Sequence, residues 1–224
     1  FTQKTGVPFR NQELLKQAFT HRSYLNEHTA QNIAHNERLE FLGDAVLELV
    51  VTTNLFKRFP EKQEGELTAF RAALVNTMTI SEVALELGFN DLLLLSRGES
   101  RDVGKARQYI LANTYEAVIG ALFLDQSYEA VAQFIERTLL PRLDGILSGG
   151  LWHDAKSRVQ EKAQEILSIT PLYKVLDESG PDHYKHFTVG VFFGDEQAGR
   201  GEGQSKQEAE QKAAENALEK KKWN

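Results

Sequence analysis

Apolar residues recur with helical spacing through the first 147 residues of the chain. One cluster comprises Leu14, Leu15, Ala18 and Phe19, and a second comprises Leu39, Leu42, Val46, Leu49 and Val50. Residues 66–87 show a further helical pattern, either one helix or a pair, that ends at Gly88 as a C-cap. The alternation typical of strands is scarce in this part. The pattern therefore predicts an all-α domain over residues 1–147.

The pattern changes after residue 147. Ser148, Gly149 and Gly150 predict a flexible linker over residues 148–153. Beyond it we expect a helix from Asp154 to about Ser168, strands at Leu172–Leu176, His183–Phe193 and Glu196–Gly201, and a helix from Ser205 to about Lys221. The middle strand is marked by alternation of Phe187, Val189, Val191 and Phe193. The prediction is a mainly α chain whose second domain, 154–224, is a small α+β unit of order αβββα.

Composition excludes several classes of protein. The chain has 224 residues, of which 41% are hydrophobic and 26% charged, as is ordinary for a globular protein. It has no cysteine, so any metal must be held by oxygen or histidine. No run of 18 apolar residues predicts a membrane span, and Phe1–Gly6 lacks the features of a signal peptide. We therefore expect a cytoplasmic protein with no membrane partner.

The net charge of −6 is unusual for a protein that binds nucleic acid. Residues 1–153 contain 15 basic and 19 acidic side chains, and residues 154–224 contain 11 basic and 13 acidic ones. Neither part is basic overall. Any contact with RNA must therefore come from local clusters, and some of the acidic residues should have another role.

Three acidic residues share one face of a predicted helix. Glu37, Glu40 and Asp44 are spaced i, i+3 and i+7, and the apolar residues of the same segment lie on another face. Carboxylates stacked in this way repel one another unless a cation lies between them. A solvated acidic face is the ordinary interpretation of such spacing. A site for a hard divalent cation is the functional one.

A second helical segment favours the cation site. Asn113 and Glu116 are polar residues in an otherwise apolar, small-residue helix, where an unpaired polar group costs free energy. If this helix faced the first, Glu40, Asp44, Asn113 and Glu116 would form a cage of oxygen atoms. Its charge of −3 would suit one or two Mg²⁺ ions and a phosphate.

The segment NERLEFLGDAVLELV, residues 36–50, closely resembles the signature of the ribonuclease III family. The segments Thr20–Tyr24, Glu64–Gly65 and Asn113–Asp125 also resemble that family, in the same order. Residues 154–222 resemble a double-stranded RNA-binding domain, so the likeness covers essentially the whole chain. It implies a ribonuclease III endonuclease domain followed by this RNA-binding domain.

The resemblance also implies an activity and a set of site residues. The metal ligands would be Glu40, Asp44, Asn113 and Glu116, and Asp44 and Glu116 would be the catalytic residues most needed for the cut. Glu37 and Glu64 would assist with substrate or with a second metal. The reaction would be Mg²⁺-dependent hydrolysis of double-stranded RNA, with Mn²⁺ able to substitute and with no small-molecule cofactor.

The products implied are 5′-phosphate and 3′-hydroxyl ends with short 3′ overhangs. The substrates implied are ribosomal RNA precursors and other structured RNAs. The family resemblance further implies a homodimer. Phe41, beside the acidic face, is a candidate dimer contact. Its other interpretation is an ordinary core phenylalanine.

The second domain supplies candidate RNA-binding residues: Gln160, Gln164, His183, Ser205, Lys206 and Lys212. Such domains contact 2′-hydroxyls and phosphates of A-form RNA rather than base sequence. The helix that begins at Ser205 can present its N-terminus to phosphate. Ser205 and Glu208 also form a capping-box pattern that fixes that start. A solvated helix face and an unpartnered loop histidine are the ordinary interpretations of the glutamines and of His183.

One position departs from the family pattern. Many members have Asp where this chain has Asn113, and asparagine keeps an oxygen ligand while losing a negative charge. The first hypothesis is an active endoribonuclease in which Asn113 is a tolerated ligand. The second is a catalytically weakened or silent protein that binds double-stranded RNA. A third, a hydrolase of another phosphate compound, is disfavoured by the RNA-binding domain.

Overall fold

The computed structural model describes residues 1–28, 33–148, 155–181 and 185–223. The chain divides into two compact units, Phe1–Trp152 and His153–Asn224, each of which is described by itself. Gly149 and Gly150 of the predicted linker, Asp154 as the predicted helix cap, and the candidate RNA-binding residue His183 all fall outside the described residues.

The N-terminal unit is helical, as predicted. Its helices in the described ranges are α1 (Thr2–Thr5), α2 (Gln12–Ala18), α3 (Arg22–Glu27), α4 (Glu37–Arg58), α5 (Glu64–Leu74), α6 (Thr77–Glu86), α7 (Lys105–Asp125), α8 (Tyr128–Thr138) and α9 (Arg142–Ser148). Residues 66–87 therefore belong to a pair of helices, and Gly88 follows the second with a left-handed φ of 72°. None of the helices in the described part of the chain is long and apolar enough to cross a membrane.

Helix α7 forms the centre of this unit. Eleven of its residues between Ile110 and Leu122 are buried, on every side of the helix. A helix that is apolar all round is stable only when other elements surround it. Helix α4 packs along it, and α2, α6 and α8 contact it as well. The polar residues of α7 are therefore placed by the packing of a buried helix.

The backbones of α4 and α7 approach each other at two glycines. A Cβ atom at Gly43 would lie 1.7 Å from the carbonyl oxygen of Glu116. A Cβ atom at Gly120 would lie 2.2 Å from the carbonyl oxygen of Leu39. No side chain fits in either place, so glycine is required for this close crossing. The residues that flank the crossing on each helix consequently face one another.

The buried face of α4 differs from the predicted one at Leu49. This leucine was expected on the apolar face, but its side chain is 55% exposed. The core contacts come instead from Leu47, Val51 and Leu55, together with the expected Leu39, Val46 and Val50. The crossing at Gly43 determines which arc of the helix meets α7, and Leu49 lies outside that arc.

The C-terminal unit has the predicted αβββα order. It contains α10 (Ala155–Leu167), β1 (Leu172–Ser179), β2 (His186–Phe193), β3 (Glu196–Gly203) and α11 (Lys206–Lys221). The sheet is antiparallel with order β1-β2-β3, and Val189 pairs with Val175 on one side and Gly201 on the other. The alternating residues of β2 are buried under the two helices. Strand β1 runs past the predicted end at Leu176, because an irregularity between Val175 and Asp177 lets pairing continue.

Helix α11 lies directly on β3. The glycines of that strand, Gly199, Gly201 and Gly203, meet the helix backbone near Ala209, Ala213 and Ala217. The start of α11 is fixed by Ser205, whose Oγ accepts a hydrogen bond from the Glu208 N–H at 3.1 Å. The Glu208 carboxylate accepts from the Gln204 N–H at 2.8 Å. The predicted cap at Ser205 is therefore present, with the return bond shifted one residue towards the N-terminus.

We predict that Gly43→Ala lowers the free energy of unfolding of the N-terminal unit by about 3 kcal/mol, because the added methyl group forces the two helices apart. The matched control is Gly145→Ala in α9, where a Cβ would meet nothing within 4 Å. That change should be neutral or stabilising by less than about 1 kcal/mol. Urea unfolding followed by circular dichroism measures both. Equal effects of the two variants would contradict the close crossing.

Candidate active site and nucleic-acid interface

Four of the predicted site residues meet where α4 crosses α7. Glu40 and Asp44 flank Gly43 on α4, and the backbone of Glu116 lies opposite that glycine. The Asn113 side chain lies beside Glu40 and lowers the pKa of its carboxyl. Asp44 and Glu40 both act electrostatically on Glu116. The structure thus brings these side chains together from two helices that are distant in sequence.

Burial and repulsion act on the carboxyl groups of this cluster. Burial of Glu116, reinforced by the charges of Asp44 and Glu40, raises the pKa of its carboxyl to about 8. Burial and the charge of Glu37 raise the pKa of Glu40, and the Asn113 side chain opposes that shift. In the absence of a cation, Glu116 therefore holds a proton at neutral pH. A bound cation would favour the ionised forms instead.

The donor set fits a hard divalent cation. Three carboxylates and one amide oxygen converge, and Mg²⁺ prefers oxygen ligands of this kind. Among the described residues, however, no group of three or more His, Asp or Glu side chains already has an arrangement that could hold a metal ion. Binding would therefore require these side chains to turn inwards around the ion.

A pocket of about 300 Å³ lies beside this cluster, and Glu40 and Asn113 line part of it. Its other lining residues are His21, Arg22, Asn36, Glu37, Tyr109 and Ile110. Glu37 is exposed there and pairs with Arg22 at 3.6 Å and with His35 at 3.8 Å. The structure therefore brings Glu37 to the edge of the site.

Glu64 lies elsewhere in the unit. It is exposed in the first turn of α5, and its carboxylate accepts a hydrogen bond from Thr68 Oγ1 at 3.1 Å. In the part of the chain that the structure describes, no hydrogen bond or ion pair joins Glu64 to the four clustered side chains. Its predicted role with substrate or a second metal remains a prediction.

Phe41 is not a core residue. Its side chain is 83% exposed, which excludes the ordinary interpretation given above. It lines a recess of about 630 Å³ together with the apolar residues Leu14, Leu39, Leu42 and Leu124, of which Leu124 is also largely exposed. A protruding phenylalanine beside an apolar recess can be buried only by another molecule or a further segment.

The candidate RNA-binding residues of the C-terminal unit lie on two elements. Gln160 and Gln164 are exposed on α10, and Gln160 lines a pocket with Gln207 and Gln211 of α11. The Ser205 hydroxyl caps α11, and Lys206 Nζ lies 5.6 Å from the centre of the Phe187 ring. Lys212 pairs with Glu208 at 2.8 Å, so part of its charge is already compensated.

Five of the eight residues that line the pocket beside the carboxylates were not predicted as site residues, and His21, Arg22 and Tyr109 are among them. His21 and Arg22 belong to the segment Thr20–Tyr24, which contributed only to the family resemblance. Tyr109 precedes Asn113 by four residues on α7, so the two share a helix face. That spacing was a signal that could have identified Tyr109, whereas nothing local in the sequence places His21 near α7.

Comparison with known proteins gives matches in both units. A family model described as Ribonuclease-III-like matches residues 11–143, and one for the double-stranded RNA binding motif matches residues 155–221. A protein named Ribonuclease 3 from Anoxybacillus flavithermus is 50% identical over 98% of this chain and 92% of its own length. Ribonuclease 3 from Geobacillus kaustophilus is 48% identical over 96% of this chain and 87% of its own.

A solved structure is also similar to the N-terminal unit. It is the nuclease domain of ribonuclease III from Campylobacter jejuni, described for flexibility in a region involved in dimer formation. Its sequence is 38% identical, the TM-score is 0.57, and the match covers 62% of this chain and 94% of that domain.

The raised pKa of Glu116 predicts a dependence of stability on pH. Between its ordinary value of 4.5 and about 8 the folded protein keeps a proton that the unfolded chain releases, so stability falls as pH rises through this window. In EDTA, Glu116→Gln should be as stable as the unmodified protein near pH 4.5. Above pH 8 it should be more stable by at most about 5 kcal/mol, since each pH unit between 4.5 and about 8 contributes about 1.4 kcal/mol. Thermal unfolding across this range tests the shift, and a difference that does not change with pH would contradict it.

Proposed function

The chain belongs to the ribonuclease III family, and from that premise we propose that Glu40, Asp44, Asn113 and Glu116 bind Mg²⁺ where α4 crosses α7. The protein is an endoribonuclease that acts on double-stranded RNA. The observation that carries the metal proposal is Glu116, a largely buried carboxyl whose pKa is raised to about 8 beside Asp44 and Glu40. A buried acid among other acids is costly to the fold unless a cation or proton compensates it.

The reaction we propose is hydrolysis of a phosphodiester bond to give 5′-phosphate and 3′-hydroxyl ends with short 3′ overhangs. A bound Mg²⁺ would supply an activated water and offset charge on the phosphate, and Mn²⁺ would do the same. Asp44 and Glu116 would contribute carboxylate oxygens, and the backbone contact at Gly43 fixes the spacing of the two helices that carry them. Asn113 lies beside Glu40 and would serve as the neutral oxygen ligand next to it. Glu37 and, by family resemblance, Glu64 assist with substrate or with a second metal.

We propose that the C-terminal unit delivers the duplex to this site. Gln160 and Gln164 would reach ribose hydroxyls in a minor groove, and the capped N-terminus of α11 would meet phosphates. Ser205 and Lys206 lie at that N-terminus, with Lys212 farther along the helix. Natural substrates would include ribosomal RNA precursors and other structured RNAs.

Cleavage of a duplex tests the function directly. The substrate is a labelled RNA of about 30 base pairs, roughly twice the ~16 base pairs that one double-stranded RNA-binding module spans. We expect cutting in Mg²⁺, none in EDTA, and 5′-phosphate ends. Glu116→Gln should abolish cutting and retain RNA binding, whereas the exposed control Glu136→Gln in α8 should cut normally. Cutting by Glu116→Gln at the normal rate would contradict the metal site.

Asn113→Asp separates the active enzyme from a silent RNA-binding protein. We expect its cleavage rate to stay within about tenfold of the unmodified protein, because the amide oxygen already serves as a neutral ligand. If the unmodified protein binds duplex without cutting and Asn113→Asp restores activity, the silent protein is the correct hypothesis.

We further propose a homodimer formed through the exposed Phe41 and its adjoining recess. The recess contains Leu14, Leu42 and Leu124, so a second copy related by a twofold axis could insert its own Phe41 there. Phe41→Ser should shift the protein towards monomer in light scattering across a dilution series. Phe56→Ser is the matched control, since Phe56 is 71% exposed on the same helix and does not line the recess. Equal effects would contradict this interface.

A further inference from the structure

Two neighbouring pockets share one wall. The pocket that contains Glu40 and Asn113 and a second pocket of about 500 Å³ are both lined by His21, Arg22 and Tyr109. None of these residues has a part in the site proposed above. They present an imidazole, a guanidinium and a phenol, and all three groups can donate hydrogen bonds. A donor-rich wall facing a carboxylate cluster is suited to an anion that lies between them.

The segment that carries His21 is held firmly. The His21 N–H donates to the Leu94 carbonyl at 3.1 Å, and the Ser96 N–H donates to Ser23 Oγ at 3.1 Å. Thr20 also forms a bridge with Leu94. These bonds tie the start of α3 to residues 94–96. The wall is therefore a preorganised part of the unit rather than an adaptable loop.

The hydrogen bonds at the His21 ring determine its tautomer. Nδ1 accepts from the Ser23 N–H at 3.3 Å, so it carries no proton, and it lies 2.8 Å from Ser23 Oγ. The serine hydroxyl therefore donates to Nδ1. Burial lowers the pKa of His21, so the ring is neutral at pH 7 and carries its proton on Nε2. Nδ1 caps the helix, and the Nε2–H remains as a donor for a ligand.

The two pockets combine one guanidinium with three carboxylates, since Glu37 and Glu40 line the first and Glu99 lines the second and acts electrostatically on His21. Arg22 is the cation of the pocket and pairs with Glu37 at 3.6 Å, which offsets that carboxylate. Tyr109 is 59% exposed and lies one helical turn before Asn113, so its hydroxyl can act beside the metal ligands. Glu40 would repel an anion when it is ionised, and a cation bound to it removes that repulsion.

We propose that His21, Arg22 and Tyr109 hold a backbone phosphate of the strand being cut, next to the scissile one, and that the His21 Nε2–H is the principal donor. This inference rests on the proposed nuclease function. The wall positions RNA and takes no part in bond breaking, so His21 is a positioning residue. Its loss should slow the chemical step by misplacing the scissile phosphate, while overall affinity depends mainly on the C-terminal unit.

Two substitutions at His21 separate the proposed role from a structural one. His21→Asn retains an oxygen that can cap α3 in place of Nδ1 but lacks a donor at the position of Nε2. His21→Gln places an amide N–H near that position and loses the cap. We expect His21→Asn to fold stably and to cut at least about tenfold more slowly in single turnover, as for loss of a hydrogen bond to a charged group. His21→Gln should be less stable yet cut faster than His21→Asn.

Which of these two variants cuts faster distinguishes a phosphate-binding role of His21 from a purely structural one. If His21 serves only to cap the helix, His21→Gln is the slower enzyme and His21→Asn is normal, which would overturn the proposal. Affinity for the uncut duplex, measured with Ca²⁺ in place of Mg²⁺, should change less than about twofold in His21→Asn, since most phosphate contacts remain. The control His28→Asn, in the same helical segment but outside both pockets, should cut normally.

Nuclear magnetic resonance of the His21 ring tests the phosphate contact independently of RNA cleavage. In the unmodified protein with Ca²⁺, the ring ¹⁵N resonances of His21 should report a proton on Nε2 and should shift when the duplex is added. His21→Asn assigns the signal by its disappearance. A shift in a protein that does not cut RNA would overturn the proposed function and leave the phosphate contact standing. An unchanged signal in the presence of bound duplex would overturn the phosphate contact.

Discussion

The close contact between α4 and α7 at Gly43 and Gly120 is the constraint on which the N-terminal unit depends. At each of these glycines, the backbone of the other helix occupies the space that a side chain would need. The fold gains a tightly packed central helix pair, and the same geometry places Glu40, Asp44 and Glu116 beside one another. Their repulsion and burial raise the pKa of Glu116 to about 8. A divalent cation bound there would offset the unfavourable electrostatic free energy of these carboxyl groups, and in the proposed mechanism this would couple helix packing to catalysis.

Much of this organisation could be predicted from local patterns. The alternation from Phe187 to Phe193 identified the central strand, because a half-buried strand has a period of two. Ser205 identified the start of the last helix, because the orphan N–H groups there need an acceptor. The i, i+3, i+7 spacing of Glu37, Glu40 and Asp44 indicated a shared face, since helical periodicity is independent of tertiary context. These predictions concern residues whose environment is set by their near neighbours in the chain.

Other features depend on partners that are distant in sequence. Leu49 has the same chemistry as its buried neighbours, yet the rotation of α4 is fixed by Gly120 on another helix, so periodicity alone placed it wrongly. His21 reaches the site because residues 94–96 bind its segment, and no local pattern reveals that bond. Glu64 has no hydrogen bond or ion pair with the cluster within the described part of the chain. Its proposed role rests on family resemblance and not on the geometry of the unit.

The most direct test of the coupling between packing and metal binding is calorimetric titration of Mg²⁺ into the unmodified protein at pH 7, in two buffers with different heats of ionisation. Because Glu116 has a pKa of about 8, it holds a proton before the metal binds and must release it on binding. We expect the heat of Mg²⁺ binding to differ between the buffers by an amount that corresponds to nearly one proton released per site. For Glu116→Gln we expect no such difference. Binding without proton release, or identical titrations for the two proteins, would contradict this coupling.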